Sequence, residues 1–225
     1  MRTIFFHGDR NKKQIAITFD DGPSSITFKI LKVLKKENIP ATFFIMGKKV
    51  NNNKKVLKQM IKQGCEIGNH TYNHTDLNFK SSKVIRTELL DTDRKLGDIN
   101  IKTKIMRCPH FRFDSKAVSV IKKLKKMMIF VDIDSLDWIK ILPMKFIIFF
   151  VLIRVRNGSI IGFHDYLEGI GDNKRVVSIV RDVIRKLKKR GYTNWLLFLR
   201  CWSFNIIFNK SGNLMGYIFF YIIFF

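Results

Sequence analysis

Two aspartates, Asp20 and Asp21, stand side by side directly behind the apolar run Ile15–Phe19. Neighbouring residues in an extended segment point in different directions. One carboxylate can then ligate a cation while the other handles a proton. The following Gly22-Pro23 is ordinary turn chemistry, which does not account for two carboxylates behind a buried run. His70 and His74 are four residues apart. On a helical turn that spacing sets both imidazoles on one side, although such pairs also occur on plain helix surfaces. With a carboxylate nearby they make a His-His-Asp set, suited to zinc or a similar divalent ion with positions left for water.

Other candidates follow further along. Arg107 beside a carboxylate cluster would hold one aspartate ionised. His164 ends an apolar run, where a lone histidine is more often structural than catalytic. Asp137 could orient it and raise its pKa, which suits a general acid. Trp138 offers either a wall for a sugar ring or a core side chain. Asp132, Asp134 and Asp165 complete the set of acidic residues near strand ends.

The elements that must position these residues alternate. The apolar runs read as strands at Ile15–Phe19, Ala41–Met46, Cys65–Gly68, Lys102–Arg107, Met128–Asp134, Ser159–Phe163 and Thr193–Leu199. Amphipathic stretches between them read as helices at Thr27–Glu37, Asn53–Lys62, Ser81–Leu96, Ser115–Lys126, Pro143–Arg154 and Asn173–Arg190, the last ending at Gly191. Seven strands alternating with six helices predict an α/β chain with a parallel sheet and right-handed crossovers, closed as a barrel or doubly wound. Five of the strands end, at one edge, in residues able to do acid, base or metal chemistry. In barrels that edge builds the active site.

The chain has 225 residues, which suggests a single domain, with residues 1–199 as the catalytic unit and 200–225 as an apolar tail. Its net charge is +24, which draws it toward anionic cell-wall polymer or membrane surface. A chain rich in Lys, Asn, Ile and Phe carries much of that charge as compositional bias. No arginine-rich stripe interleaved with aromatics appears, so nucleic acid is not an expected partner. The three cysteines, Cys65, Cys108 and Cys201, form no CxxC pair, which argues against a disulfide framework or a cysteine zinc site. The first residues lack the apolar stretch of a signal peptide. The greasiest runs are shorter than the roughly 18 residues of a membrane span.

Together the motifs resemble the polysaccharide deacetylase family (the NodB homology domain, carbohydrate esterase family four). They are Thr18-Phe19-Asp20-Asp21-Gly22, His70-Thr71-Tyr72-Asn73-His74, Arg107-Cys108-Pro109, Asp134-Ser135-Leu136-Asp137-Trp138 and His164-Asp165, in the family's order. The resemblance spans about residues 4–195. It implies a distorted (β/α)7 TIM-like barrel. It also implies that Asp21, His70 and His74 bind one divalent metal ion, zinc foremost, with cobalt or another divalent ion as alternatives. Asp20 would be the general base and His164 the general acid. Arg107 would pair with Asp20, and Asp137 would tune His164. Trp138, Pro109 and His110 would meet the substrate, with a backbone N–H near His110 facing the oxyanion.

The implied reaction removes N-acetyl groups from a glycan of N-acetylglucosamine or N-acetylmuramic acid units, peptidoglycan or chitin-like, and releases acetate. The alternatives are a small-molecule amide hydrolase of the same fold and a catalytically impaired glycan-binding homologue. The protein is expected to be a monomer. The substrate class implies an extracellular or cell-surface location. Three features depart from the family pattern. Gly162 stands where a leucine usually helps form the acetyl-methyl pocket, Lys145–Ile153 is unusually apolar, and the chain drifts after Trp195.

Overall fold

The computed structural model describes residues 4–193. In chain order its elements are β1 (Ile4–Phe5), β2 (Ala16–Gly22), α1 (Thr27–Lys36), β3 (Thr42–Ile45), α2 (Lys54–Lys62), β4 (Glu66–Asn69), α3 (Ser82–Gly97) and β5 (Ile105–Met106). Then come α4 (Ser115–Lys123), β6 (Met127–Ile129), β7 (Ile133–Asp134), α5 (Met144–Arg154), β8 (Ile160–His164), β9 (Tyr166–Leu167), β10 (Gly171–Asp172) and α6 (Val176–Lys189). Strands β1 to β8 form one sheet in the order β1-β6-β5-β4-β3-β2-β8-β7. Every pairing in it is parallel. This is the distorted α/β barrel that the family resemblance implies, one of the two closures the alternation left open.

One strand differs from expectation in a way that explains the closure. Met128–Asp134 reads as a continuous strand, but the structure divides it. β6 pairs with β5 and β1 at one end of the sheet, while β7 pairs with β8 at the other. Phe130 N donates to Phe5 O, and Asp132 N donates to Ile160 O. The short link 130–132 therefore joins the two ends of the sheet and curls it into a barrel. The apolar run is continuous in sequence because both halves are buried. Its break is set by pairing partners far away in the chain. β1 is a further strand that the sequence pattern did not suggest. Of the expected strand Thr193–Leu199, Thr193 bridges in parallel to Gln14. The rest of it, and the tail 200–225, lie outside the described residues.

Period-two alternation layers the interior. Phe5, Ala16, Phe44, Ile105, Met127, Ile129 and Ile160 point inward and fill the barrel's base. The intervening residues Ile17, Phe19, Phe43, Ile45, Ile67, Ile161 and Phe163 point outward into the helix layer. Gly68 leaves room for the inward Phe44, whose ring would meet a Cβ there at 2.4 Å. Local signals end the helices. The Ser81 hydroxyl caps α3 by accepting from Val84 N, and the Asp114 carboxylate caps α4 by accepting from Ala117 N. Gly191 follows α6 with φ at 80°, a backbone shape that favours glycine. Helix α5 buries Ile147, Val151 and Leu152 and leaves Phe146, Phe149 and Ile153 exposed among the described residues. None of the described helices is long and apolar enough to cross a membrane.

Candidate active site

The inward alternation of β2 runs Ala16, Thr18, Asp20, so Asp20 continues the interior column. Regular parity would then send Asp21 outward. Instead Asp21 has φ at 68°, and the register between β2 and β3 shifts between Phe19 and Gly22. Such an irregularity re-aims a side chain at a barrel rim. Asp21 comes to share the mouth with Asp20, and Lys49 Nζ donates to its carbonyl at 2.8 Å. Gly22 fits tightly here, because a Cβ would lie 2.4 Å from Asp165 Oδ1. The extended-strand geometry expected for the pair thus ends at Asp20.

His70 and His74 also differ from expectation, since they sit in a loop after β4 and not on a helical turn. Thr71 and His74 take φ values of 60° and 68°. Side chains stabilise this backbone from outside. Asn69 Oδ1 accepts from Thr71 N at 2.9 Å, and the buried Glu88 carboxylate accepts from Tyr72 N and Asn73 N at 2.9 and 2.8 Å. The two rings nevertheless converge, with centroids 5.1 Å apart.

Their protons can be assigned from their partners. His70 Nδ1 lies 2.8 Å from Arg107 O, and His74 Nδ1 lies 2.7 Å from Glu168 Oε2. Both partners are acceptors, so each Nδ1 donates and each Nε2 of a neutral ring presents a lone pair. Those two Nε2 atoms stand 3.2 and 3.0 Å from Asp21 Oδ1, a buried oxygen with no hydrogen-bond partner of its own. Three lone pairs meeting at this distance repel unless a proton or a cation sits among them. Burial pushes the Asp21 carboxyl up, but His70 and His74, when a proton sits on Nε2, outweigh it and hold it well below the usual range. For His74, burial pulls the pKa down, and Asp21 and Glu168 more than restore it. Asp21, His70 and His74 form a donor set able to hold a metal ion. Two imidazoles and one carboxylate with room for water fit a borderline divalent ion.

Asp20 is fixed from below. Arg107 Nη1 donates to Asp20 Oδ1 at 2.7 Å and to Thr18 Oγ1 at 2.8 Å. Its Nε donates to Ile129 O at 3.0 Å, and its guanidinium lies 4.1 Å from the centroid of the Phe44 ring. Arg107 is fully buried, so the ion pair is shielded from water. Across the sheet, Asp20 is in register with His164. His164 Nδ1 donates to Asp137 Oδ1 at 2.9 Å, and His164 N donates to Asp137 Oδ2 at 2.9 Å. Ser135 Oγ and Asn173 Nδ2 also donate to Asp137, at 2.9 and 2.8 Å. Burial pulls His164 down, but Asp137, with help from Asp21 and Asp20, raises its pKa to about 10. A divalent cation at Asp21 would offset that residue's share.

The remaining candidates lie around this centre. Pro109 is buried in a short 3-10 turn, Pro109–Phe111, and His110 is exposed with φ at 55°. The His110 ring meets His74 edge-on, with centroids 4.6 Å apart. Trp138 is 41% exposed and donates from Nε1 to Asp134 Oδ2 at 3.2 Å, so it is a rim residue and not a core one. Cys108 is buried, and burial pushes its thiol up, which leaves it inert. Asp132 departs from the expected edge. It binds Arg10, Arg156 and Ser159 beside the start of β8, at the opposite rim. Three supporting residues had no motif to reveal them: Glu168, Asn173 and Lys49. Each acts across a long sequence separation.

The polysaccharide deacetylase family model matches residues 7–129. A peptidoglycan-N-acetylglucosamine deacetylase of Bacillus cereus is 32% identical over 187 residues, covering 81% of this chain and 85% of that protein. A bifunctional xylanase/deacetylase of Pseudobutyrivibrio xylanivorans is 32% identical over 186 residues, of which this chain spans 82% of its own length and 30% of the relative's. Among solved structures, a CE4 family pseudoenzyme from Bacillus anthracis superposes with a TM-score of 0.79 at 25% identity, over 88% of this chain and 68% of that one. With its motifs gathered at one barrel rim and its sequence matched over more than half its length, the chain belongs to the polysaccharide deacetylase family.

Proposed function

We propose that this chain is a metal-dependent N-deacetylase acting on N-acetylglucosamine or N-acetylmuramic acid units of peptidoglycan, with chitin-like chains as the second glycan to test. One observation carries the reading. The Asp20–Arg107 pair and the His164–Asp137 pair flank the Asp21, His70, His74 donor set from two sides. A bound divalent ion, zinc by its donor set, would supply Lewis acidity toward the acetyl carbonyl and toward water. Asp20, paired with Arg107, takes the proton of the attacking water. A new C–O bond forms at the acetyl carbon, and a backbone N–H near His110 faces the developing oxyanion. The C–N bond then breaks, His164 gives the leaving amine its proton, and acetate departs. Trp138, Pro109 and His110 line the glycan's approach.

The second reading is a catalytically impaired glycan binder, and Gly162 favours it. A Cβ at 162 would meet Val131 Cγ1 at 2.7 Å, so the position is closed to the leucine that usually helps form the acetyl-methyl pocket. Against it stands the retention of Asp20, Asp21, His70, His74, Arg107, Asp137 and His164 together. Acetate release decides between them. Purified protein with zinc or cobalt is incubated with peptidoglycan, chitooligosaccharides and small N-acetyl amides, with Asp20→Asn as the control. Release from peptidoglycan supports the main reading, and release from small amides alone would make the chain a small-molecule amide hydrolase. No release from any of them leaves the glycan binder. The same reading assigns the protein to the cell surface as a monomer, its +24 charge meeting anionic wall polymer or membrane. Cell fractionation and sizing chromatography test those two points.

A further inference from the structure

The two imidazoles of the donor set are anchored by unlike groups. His70 Nδ1 is held by the main-chain oxygen of Arg107, inside the barrel. His74 Nδ1 is held at 2.7 Å by a carboxylate, Glu168 Oε2, which belongs to neither the family motifs nor the barrel strands. Glu168 is presented by the hairpin of β9 and β10, which pairs Tyr166 with Asp172 and Leu167 with Gly171. Around its turn, Gly169 and Gly171 take φ values of 74° and 102°, shapes that favour glycine. The hairpin is tied down on both strands. Leu167 is buried, Tyr166 lies under Lys49 Nζ, and Asp172 accepts a hydrogen bond from Ser25 Oγ. The other oxygen, Glu168 Oε1, is 3.5 Å from Lys48 Nζ, which also donates to Asn73 O within the His74 loop.

We infer that Glu168 is a positioning residue for the metal centre. It fixes the His74 ring with Nε2 facing Asp21 and, as a carboxylate, makes that nitrogen a stronger donor than a carbonyl partner would. Outer carboxylates of this kind orient metal-bound histidines, and their removal typically weakens metal binding by about 10–100-fold. Beyond the edge contact with the His110 ring, no other hydrogen bond among the described residues fixes His74 Nδ1, and the loop's φ of 68° is sustained by side-chain contacts and not by a helix. Lys48 steadies Glu168 from the far side, so the anchor stays in place although Glu168 itself is exposed.

The inference rests on the metal-site reading above and is independent of which glycan is cleaved. Its test measures zinc affinity directly. Metal-stripped wild-type protein, Glu168→Ala and Glu168→Gln are titrated with zinc against a chromophoric chelator, and circular dichroism establishes that each is folded. The alanine variant is expected to bind zinc about 10–100-fold more weakly, and the glutamine variant, which keeps an acceptor but loses the charge, to fall between. Nitrogen NMR of the imidazoles adds a signature that general loosening would not produce. The His74 Nδ1–H form is dominant in wild type and declines in Glu168→Ala, while His70 is unchanged. If Glu168→Ala does not fold, the glutamine variant carries the same comparison. Wild-type affinity in a folded variant overturns the inference, as does a stoichiometry of two ions per chain with Glu168 and His110 ligating the second. No zinc binding by the wild type sinks the metal site as well. Weakened binding in a protein that releases no acetate leaves this inference standing and removes the deacetylase reading.

Discussion

Each rim of the barrel sets an aspartate among nitrogen and oxygen atoms, yet the two sites are built in opposite ways. At the rim below β8, Asp132 accepts two bonds from Arg10, one to each oxygen at 3.0 and 2.7 Å, one from Arg156 at 3.3 Å and one from Ser159 Oγ at 2.6 Å. Its donors are permanent cations and a hydroxyl, so its charge is answered within the chain. At the upper rim, Asp21 Oδ1 faces two imidazole nitrogens whose protons are committed elsewhere. A structural carboxylate is satisfied by its fold, while a functional one is left for something the fold does not supply. Asp20 lies between these cases. It has a permanent cation in Arg107, but its register opposite His164 keeps it at the mouth.

If that contrast is right, the largest effect belongs to Asp20. Asp20→Asn keeps an oxygen for Arg107 but loses the base, and kcat for acetate release should fall about 10²–10⁴-fold. Zinc affinity should stay close to wild type, because Asp20 is outside the donor set. Equal loss of zinc and activity would mean that the two carboxylates are not divided in role. Next comes Arg107→Leu, which leaves Asp20 buried without its cation. Breaking a buried pair costs about 3–5 kcal/mol, and urea unfolding should register a loss of that order. A smaller loss would imply that water reaches Asp20 and that the upper rim is less dry than its packing indicates.

The pH profile tests the other pair. His164 must be protonated to give the leaving amine its proton, so activity falls as pH rises through its pKa. Asp137 is the main group raising that value. Asp137→Asn should therefore move the alkaline limb of kcat to lower pH, by about one to three units for the loss of an adjacent opposite charge. An unchanged limb would assign it to another group.

How much of this was legible in the sequence follows from how far each determinant reaches. The strand ending Thr18-Phe19-Asp20-Asp21 and the helices α1 to α4 rest on local periodicity, and they read directly. The gathering of Asp21, His70, Arg107, Asp137 and His164 at one rim was also readable, because parallel strands share a direction. What was hidden depends on distant partners. The division of Met128–Asp134 is set by β1 and β8, and the loop carrying His74 is shaped by Glu88. Asp132 looked like a rim acid from its spacing, and only Arg10, 122 residues away, shows which rim it serves.

The smallest expected effect returns to Asp132 and separates the rims most cleanly. Burial pushes its carboxyl up, but Arg10, Ser159 and Arg156 hold it below the usual value. A carboxylate with a depressed folded pKa contributes stability above its unfolded pKa of about 3.9, and that contribution is lost as pH falls through the folded value. Asp132→Asn should remove it. Charge-assisted bonds of this kind are worth about 1.5–3 kcal/mol when buried. Arg156 is largely exposed, so a loss of about 1–2 kcal/mol at neutral pH is the better expectation. The difference between variant and wild type should shrink below pH 4 as the wild-type carboxylate is protonated. Zinc affinity and kcat should not move, since this network does not touch the donor set. A change in either would mean that the link 130–132, which closes the barrel, also transmits strain to the mouth through β7 and Asp137.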